Sequence, residues 1–360
     1  TTATRVLLNA KWDLLDDVHA VVTLRKNDRA WGTATAGGEG ASGSQAIDAA
    51  GVLGNTFVDR AAVSIDKLGG YIDTTIGRQY YGDPGDLVIY YGSKDNFGLY
   101  NTAIDAARFE YANDWMAFSG LAGKTAGTKL TTVPTTDTNV RGFDVLWKSL
   151  PMKLHTFLWN RVTQMGGQIG TAPSVPAGGG ASTSGGLNDN LWVYGVKLRG
   201  EAMGGWVNLD LAANAGEDRL SGRVNSAGAD GTIGTADDTQ CGAAGCNAMT
   251  ANYIGKAFMF DAGYNAEMTN IGALTPWVNF GWGTGRSSNL EKTNEGFTSI
   301  ASDYRPGIMN RMFDGTAAAN LGSGLTGGTI GTNGLNNRVV YGAGLNFTPA
   351  AWEKLTVGAQ

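Results

Sequence analysis

The connections in this chain are sorted by length. Short ones lie near 15–17, 67–70, 112–114, 149–151, 200–204, 264–276 and 348–354, and long ones near 27–55, 79–103, 124–140, 163–190, 215–251 and 283–337. The two kinds alternate along all 360 residues. Between them lie about fourteen stretches, each near the roughly 9–11 residues that cross a bilayer as a tilted strand. A soluble sandwich has no reason to sort its loops by end. A membrane-spanning barrel does, with tight turns on one side and long loops on the other. The order therefore predicts an all-β chain folded as a transmembrane antiparallel up-and-down β-barrel.

The stretches themselves repeat every second residue. In Arg5–Leu14, Val6, Leu8, Ala10 and Trp12 share one face, while Arg5, Asn9, Lys11 and Asp13 share the other. Val18–Lys26 sets Val18, Ala20, Val22 and Leu24 against His19, Thr23 and Arg25. Leu191–Arg199 sets Trp192, Tyr194, Val196 and Leu198 against Lys197 and Arg199. Period two with one apolar face is the signature of a strand that is wet on one side only. In Thr56–Asp66 the apolar face of Phe57, Ala61, Val63 and Ile65 is broken by Asp59, which is expected near the membrane edge.

Composition agrees. Charged residues are 16% of the chain, against about 25% in an ordinary globular domain. Ten Trp and twelve Tyr suit interfacial aromatic girdles. No run approaches the roughly 20 apolar residues of a membrane helix, and a mean hydropathy of −0.15 fits strands that face water at every second residue. The net charge of −5 argues against a nucleic-acid partner. One barrel domain over 1–360 is expected, located in a bacterial outer membrane. Barrels of this kind have even strand numbers, and the first and last stretches both adjoin short turns. The chain is accordingly expected to be incomplete at both ends, with 16–18 strands in the intact protein, following the even-number rule.

The strand Tyr71–Ile76 runs into Gly77-Arg78-Gln79, then a Gly-rich loop, then Ile104-Asp105-Ala106-Ala107-Arg108-Phe109. Over roughly residues 4–124 this arrangement resembles the alginate-export-like family of outer-membrane β-barrel porins. In that family a lumen rich in Arg escorts an acidic polysaccharide; the resemblance implies an Arg-rich lumen here and does not extend to that substrate. Beyond residue 124 only the architecture is shared.

Three further stretches carry candidate chemistry. In the long loop 215–251, Asp230, Asp237 and Asp238 stand around glycines, the kind of oxygen ligands that calcium takes. The bland reading is a solvated acidic loop, and no cofactor is otherwise required. Cys241 and Cys246, the only cysteines, are expected to close a small disulfide ring, which a cell-surface location permits. His19 and His155 are the only histidines, and no Gly-x-Ser-x-Gly elbow accompanies them, so no catalytic residues are assigned and no enzyme is expected.

The polar faces carry the functional expectation. Arg60, Arg78, Gln79, Asp105, Arg108, Glu110, Lys148, Lys197, Arg199 and Arg338 are expected to line the solute pathway. Asp189 is read as a loop acid. Arg suits bidentate capture of carboxylates, so the expected cargo is small or oligomeric, polar and anionic. The competing reading is that these charges pair across strands and merely keep a wet wall. The partners are then outer-membrane lipid and solutes, with oligomerisation left open. The alternative class is a surface structural or adhesive barrel whose long loops bind a partner.

Overall fold

The computed structural model describes residues 4–28, 56–92, 103–126, 137–150, 152–164, 188–218, 223–226, 239–240, 247–248, 251–268, 271–286, 293–304, 335–351 and 355–359. Seventeen strands join into one sheet, and the described residues contain no helix. β1 (Thr4–Leu15) pairs with β2 (Val18–Asp28), β2 with β3 (Thr56–Leu68), β3 with β4 (Ile72–Gln79) and β4 with β5 (Ile104–Ala112). β6 (Met116–Ala126) follows in the same sheet. β7 (Asp137–Trp147) pairs with β8 (Lys153–Gln164), β8 with β9 (Asn188–Ala202), and β9 with β10 (Gly205–Asp218). Each pair is antiparallel between chain neighbours, an up-and-down order.

The 215–251 connection contains a separate three-stranded sheet of β11 (Arg223–Ser226), β12 (Thr239–Gln240) and β13 (Asn247–Ala248). Past it, β10 pairs with both β14 (Ala251–Tyr253) and β15 (Lys256–Tyr264). β16 (Ala266–Met268) folds back on the start of β17 (Gly272–Gly283), and β15 pairs along the rest of β17. The 264–276 connection is therefore mostly strand, with a tight reversal before Gly272. β14 also meets β18 (Thr293–Asn294), in a parallel pairing. β19 (Arg338–Pro349) pairs with β17 and with β20 (Val357–Ala359).

The turns follow from local chemistry. β9 and β10 are joined by Met203 and Gly204, with φ of 51° and 82°. Two positive φ values make the type I′ turn whose twist matches that of the strands. Between β5 and β6 the Asn113 side chain accepts hydrogen bonds from the amides of Trp115 and Met116, at 3.1 and 2.8 Å. Such an Asx turn needs no glycine.

The described residues gather into two compact units, each taken by itself. The first draws on 1–111, 119–123 and 301–333, and the second on 112–118, 124–300 and 334–360. In the first, Leu87, Val88, Ile89, Tyr90 and Tyr91 are buried. This part of the connection after β4 turns back so that Tyr81 and Tyr91 exchange backbone hydrogen bonds. Ala301 bonds to the backbone of Val88 and Tyr90, and Asp303 to that of Asp86. In the second unit Trp159, Leu191, Val193, Phe297 and Leu335 are almost wholly buried.

Both units share a sidedness. In the first, Val63 stands opposite Ala20 and Ile76, and Ile76 opposite Ala107. In the second, one row runs Leu211, Phe258, Trp282, Val339, and the next runs Leu209, Phe260, Phe280, Tyr341. Val63, Ile76, Leu211, Phe280, Trp282, Val339 and Tyr341 are all exposed, Tyr341 at 84%. The opposite face carries the charges.

Candidate functional site: the charged face of the strands

In the first unit the site begins with a bulge. Thr23 pairs with Arg60 and Leu24 with Val58, so Asp59 is an extra residue in β3. An extra residue re-aims its side chain. Asp59 thus leaves the apolar face on which its sequence position placed it, and lies 3% exposed beside Arg25. The Arg25 guanidinium meets its carboxylate at 3.2 Å, and the Tyr80 hydroxyl donates to its other oxygen. Arg60 lies next to this pair. Its Nε donates to Thr23 Oγ1 and its Nη2 to Asn9 Oδ1, each at 3.0 Å. Its guanidinium stacks 4.8 Å from the centre of the Tyr80 ring. Among the described residues no carboxylate pairs with Arg60.

The register divides the rest of the expected pathway. Arg108 stands opposite Thr75, on the charged face, and its Nη2 meets Glu110 at 2.6 Å. Arg78 stands opposite Ala61 and Asp105, in the row beside Val63 and Ile76. Arg78 and Asp105, 3.5 Å apart, therefore occupy the apolar face and not the pathway. The reason is parity: Asp105 and Arg108 are separated by an odd number of positions, so they point to opposite sides. Gln79 shares the charged side but is only 4% exposed. Its Nε2 donates to the carbonyls of Thr75, Gly77 and Ala106, which makes it a brace within the wall. Gly77 is needed there because a Cβ would come within 2.3 Å of Ala61 O, at a φ of +123°.

In the second unit the charged face is a ladder. His155, Lys197, Asp210 and Met259 form one row, and Lys153, Arg199, Asn208, Asp261, Asn279 and Gly342 the next. His155 Nδ1 lies 2.8 Å from Asp144, and Lys197 Nζ sits 5.4 Å from the centre of the Phe157 ring. Arg199 bridges the rows to Asp210, while Asn279 donates to Asp261. Arg338 stands opposite Gly283, where β19 begins, with the same sidedness. Lys148 lies elsewhere, just past the end of β7. Its Nζ donates to the Asn113 carbonyl at 3.0 Å, so it fastens a turn and does not line a path.

Sequence reading passed over one group entirely. Asp189, expected in a loop, lies in β9 and is 1% exposed. It faces Arg161 at 3.7 Å and accepts a hydrogen bond from the Tyr253 hydroxyl at 2.9 Å. The signal was parity: Asp189, Leu191 and Val193 fall on the same side of β9 as Lys197 and Arg199. The expected calcium ligands Asp230, Asp237 and Asp238, and the expected Cys241–Cys246 pair, lie outside the described residues. Among the described residues no group of three or more His, Cys, Asp and Glu is placed to hold a metal.

No family model and no curated protein matches the chain, so the resemblance to alginate-export-like porins has no family model behind it. Among solved structures it is similar to the outer membrane channel DcaP of Acinetobacter baumannii. That likeness has 10% identity, 99% of this chain covered, 76% of the other, and a TM-score of 0.42. It is also similar to outer-membrane expressed OmpT of Vibrio cholerae, at 9% identity, 83% and 85% coverage and a TM-score of 0.33.

Proposed function

We propose that this protein is an outer-membrane β-barrel channel that passes small polar solutes, with a preference for anions. One observation carries the reading: the same strands present a largely apolar face with many exposed side chains and, opposite it, a charged and hydrogen-bonded face. Large exposed apolar surfaces are rare on soluble monomers. Lipid accounts for this one, and water-filled passage accounts for the other. The long strands run from 8 residues in β4 to 15 in β9, near or above the roughly 9–11 of a tilted crossing. Most basic groups on the charged face stand beside an acid, which favours weak selectivity. Arg60, held by neutral acceptors and an aromatic ring, has no carboxylate beside it among the described residues, and it supports the preference for anions. Reversal potentials in planar bilayers under a salt gradient test this. A cation-preferring wild type would end the anion assignment, and absence of any conductance would end the channel.

The sheet β11–β13 favours a second reading, because it gives the 215–251 connection structure of its own. On that reading the protein is a surface barrel whose loops bind a partner. Partner binding that persists in a non-conducting protein would select it.

A further inference from the structure

The connection after β17 does not simply lead away from the sheet. In the second unit, Thr293–Ile300 is fastened to the charged face of β8–β10 and to the β14–β15 junction. Asn214, on β10, uses both ends of its side-chain amide. Its Nδ2 donates to Thr298 O at 2.8 Å, and its Oδ1 accepts from Thr298 N at 2.7 Å. The amide thereby replaces one residue of a strand partner. Arg161, on β8, is 3% exposed and directs Nη1 at two successive carbonyls, Ser299 O at 2.9 Å and Ile300 O at 3.3 Å. Asp189 and Tyr253 hold it from behind. The backbone adds bonds from Ile254 N to Asn294 O and from Phe297 N to Thr284 O, each at 3.0 Å.

Gly255 lets the segment come this close. A Cβ on it would meet Gly296 O and Phe297 Cα at 2.6 Å and Asn214 Oδ1 at 2.7 Å. The segment is not surface-bound: Phe297, Ser299 and Ile300 are 1%, 4% and 5% exposed.

We propose that Thr293–Ile300 is a constriction built into the channel, with Arg161 and Asn214 as the residues that position it against the wall. The proposal rests on the channel reading, because only a water-filled passage gives the charged face a lumen to narrow. The geometry fits a fixed restriction more than a mobile gate. An arginine capping two carbonyls, a two-ended amide and two backbone bonds all act on eight residues. A segment released from them would retreat and widen the path.

Two variants act by different routes. Asn214→Ala removes the amide that holds Thr298. Gly255→Val adds bulk where the segment touches the wall and leaves the Arg161–Asp189 pair in place. Single-channel conductance of each, reconstituted as the whole chain, is expected to rise about twofold or more over wild type, since conduction is set by the narrowest section. Arg161→Lys is expected to lie between wild type and these variants. Wild-type conductance in both folded variants overturns the proposal. Amide hydrogen exchange separates this outcome from failure of the channel reading. Phe297 and Thr298 are expected to be protected in wild type and to exchange faster in both variants. Rapid exchange there in wild type overturns the constriction whatever the conductance. Should wild type not conduct, the channel reading fails and the constriction falls with it, and protected Phe297 and Thr298 amides would then mark the segment as a structural brace.

Discussion

Asp59 is one residue too many for the register of β3 on β2, and it therefore ends beside Arg25 and not among Val58 and Val63. Alternation alone could not reveal this, because a bulge inverts parity from that point onward. Asp59→Ala would leave the Arg25 guanidinium buried with its carboxylate gone. Breaking such a buried pair costs about 3–5 kcal/mol. Urea unfolding in detergent is expected to show the loss, with Asp59→Asn less affected because its amide oxygen still accepts from Arg25 while its amide nitrogen donates to the Tyr80 hydroxyl oxygen. Arg78 teaches the complementary lesson. Arg78 was expected on the inward, polar face, although Ile72, Ile76 and Arg78 all fall at even positions. In fact β4 continues through Gln79, which puts Arg78 on the apolar face. Reversal potentials should accordingly distinguish the two arginines. Arg60→Ala is expected to weaken the proposed anion preference, while Arg78→Ala is expected to leave it unchanged. Equal effects from both would contradict the facing derived from the register.

At the scale of elements, the long strands were legible because each repeats apolar and polar residues over many positions, and period two survives local noise. Their ends extend beyond the periodic runs. β9, for example, was expected over Leu191–Arg199 and spans Asn188–Ala202, because backbone pairing continues where the side-chain contrast stops. The short elements were not legible, since β14, β16 and β18 are three, three and two residues long and carry no period. The buried parts of the long connections, such as Leu87–Tyr91 and Phe297, were read as loops for the same reason. Turn chemistry yields a prediction of its own. Met203 occupies a left-handed position at the tip of the β9–β10 hairpin, which costs an ordinary side chain about 1–2 kcal/mol. Met203→Asn is expected to raise the unfolding midpoint, because Asn tolerates that conformation. Gly204→Ala is expected to lower it, since a Cβ there would meet Asn265 O at 2.9 Å at a φ of +82°. Thermal melts of the two variants should move in opposite directions.

Over the whole molecule, a net charge of −5 and a charged face of interleaved acids and bases pull selectivity in different ways. An ion in transit feels mainly the wall within a Debye length, roughly 8–10 Å at physiological salt. If Arg60 sets an anion preference as proposed, that preference is expected to shrink as salt rises, and a salt series of reversal potentials checks it. The two-faced sheet also bears on how the protein is made. Its apolar surface is assembled from alternate residues of many strands, so it does not exist in any one stretch of the unpaired chain. Before pairing, the oily side chains of the strands are interleaved with polar ones, and no apolar run approaches the roughly 20 residues of a membrane helix. The unfolded chain can travel through water as a polymer without displaying its lipid-seeking side. Burial in lipid and closure of hydrogen bonds must then arrive together, since neither face is complete until neighbouring strands have met. Urea-unfolded chain is expected to stay soluble on brief dilution and to regain strand structure only when micelles or vesicles are supplied, as far-UV circular dichroism would show. Full strand content regained in plain buffer would mean that its oily surface had found a partner other than lipid.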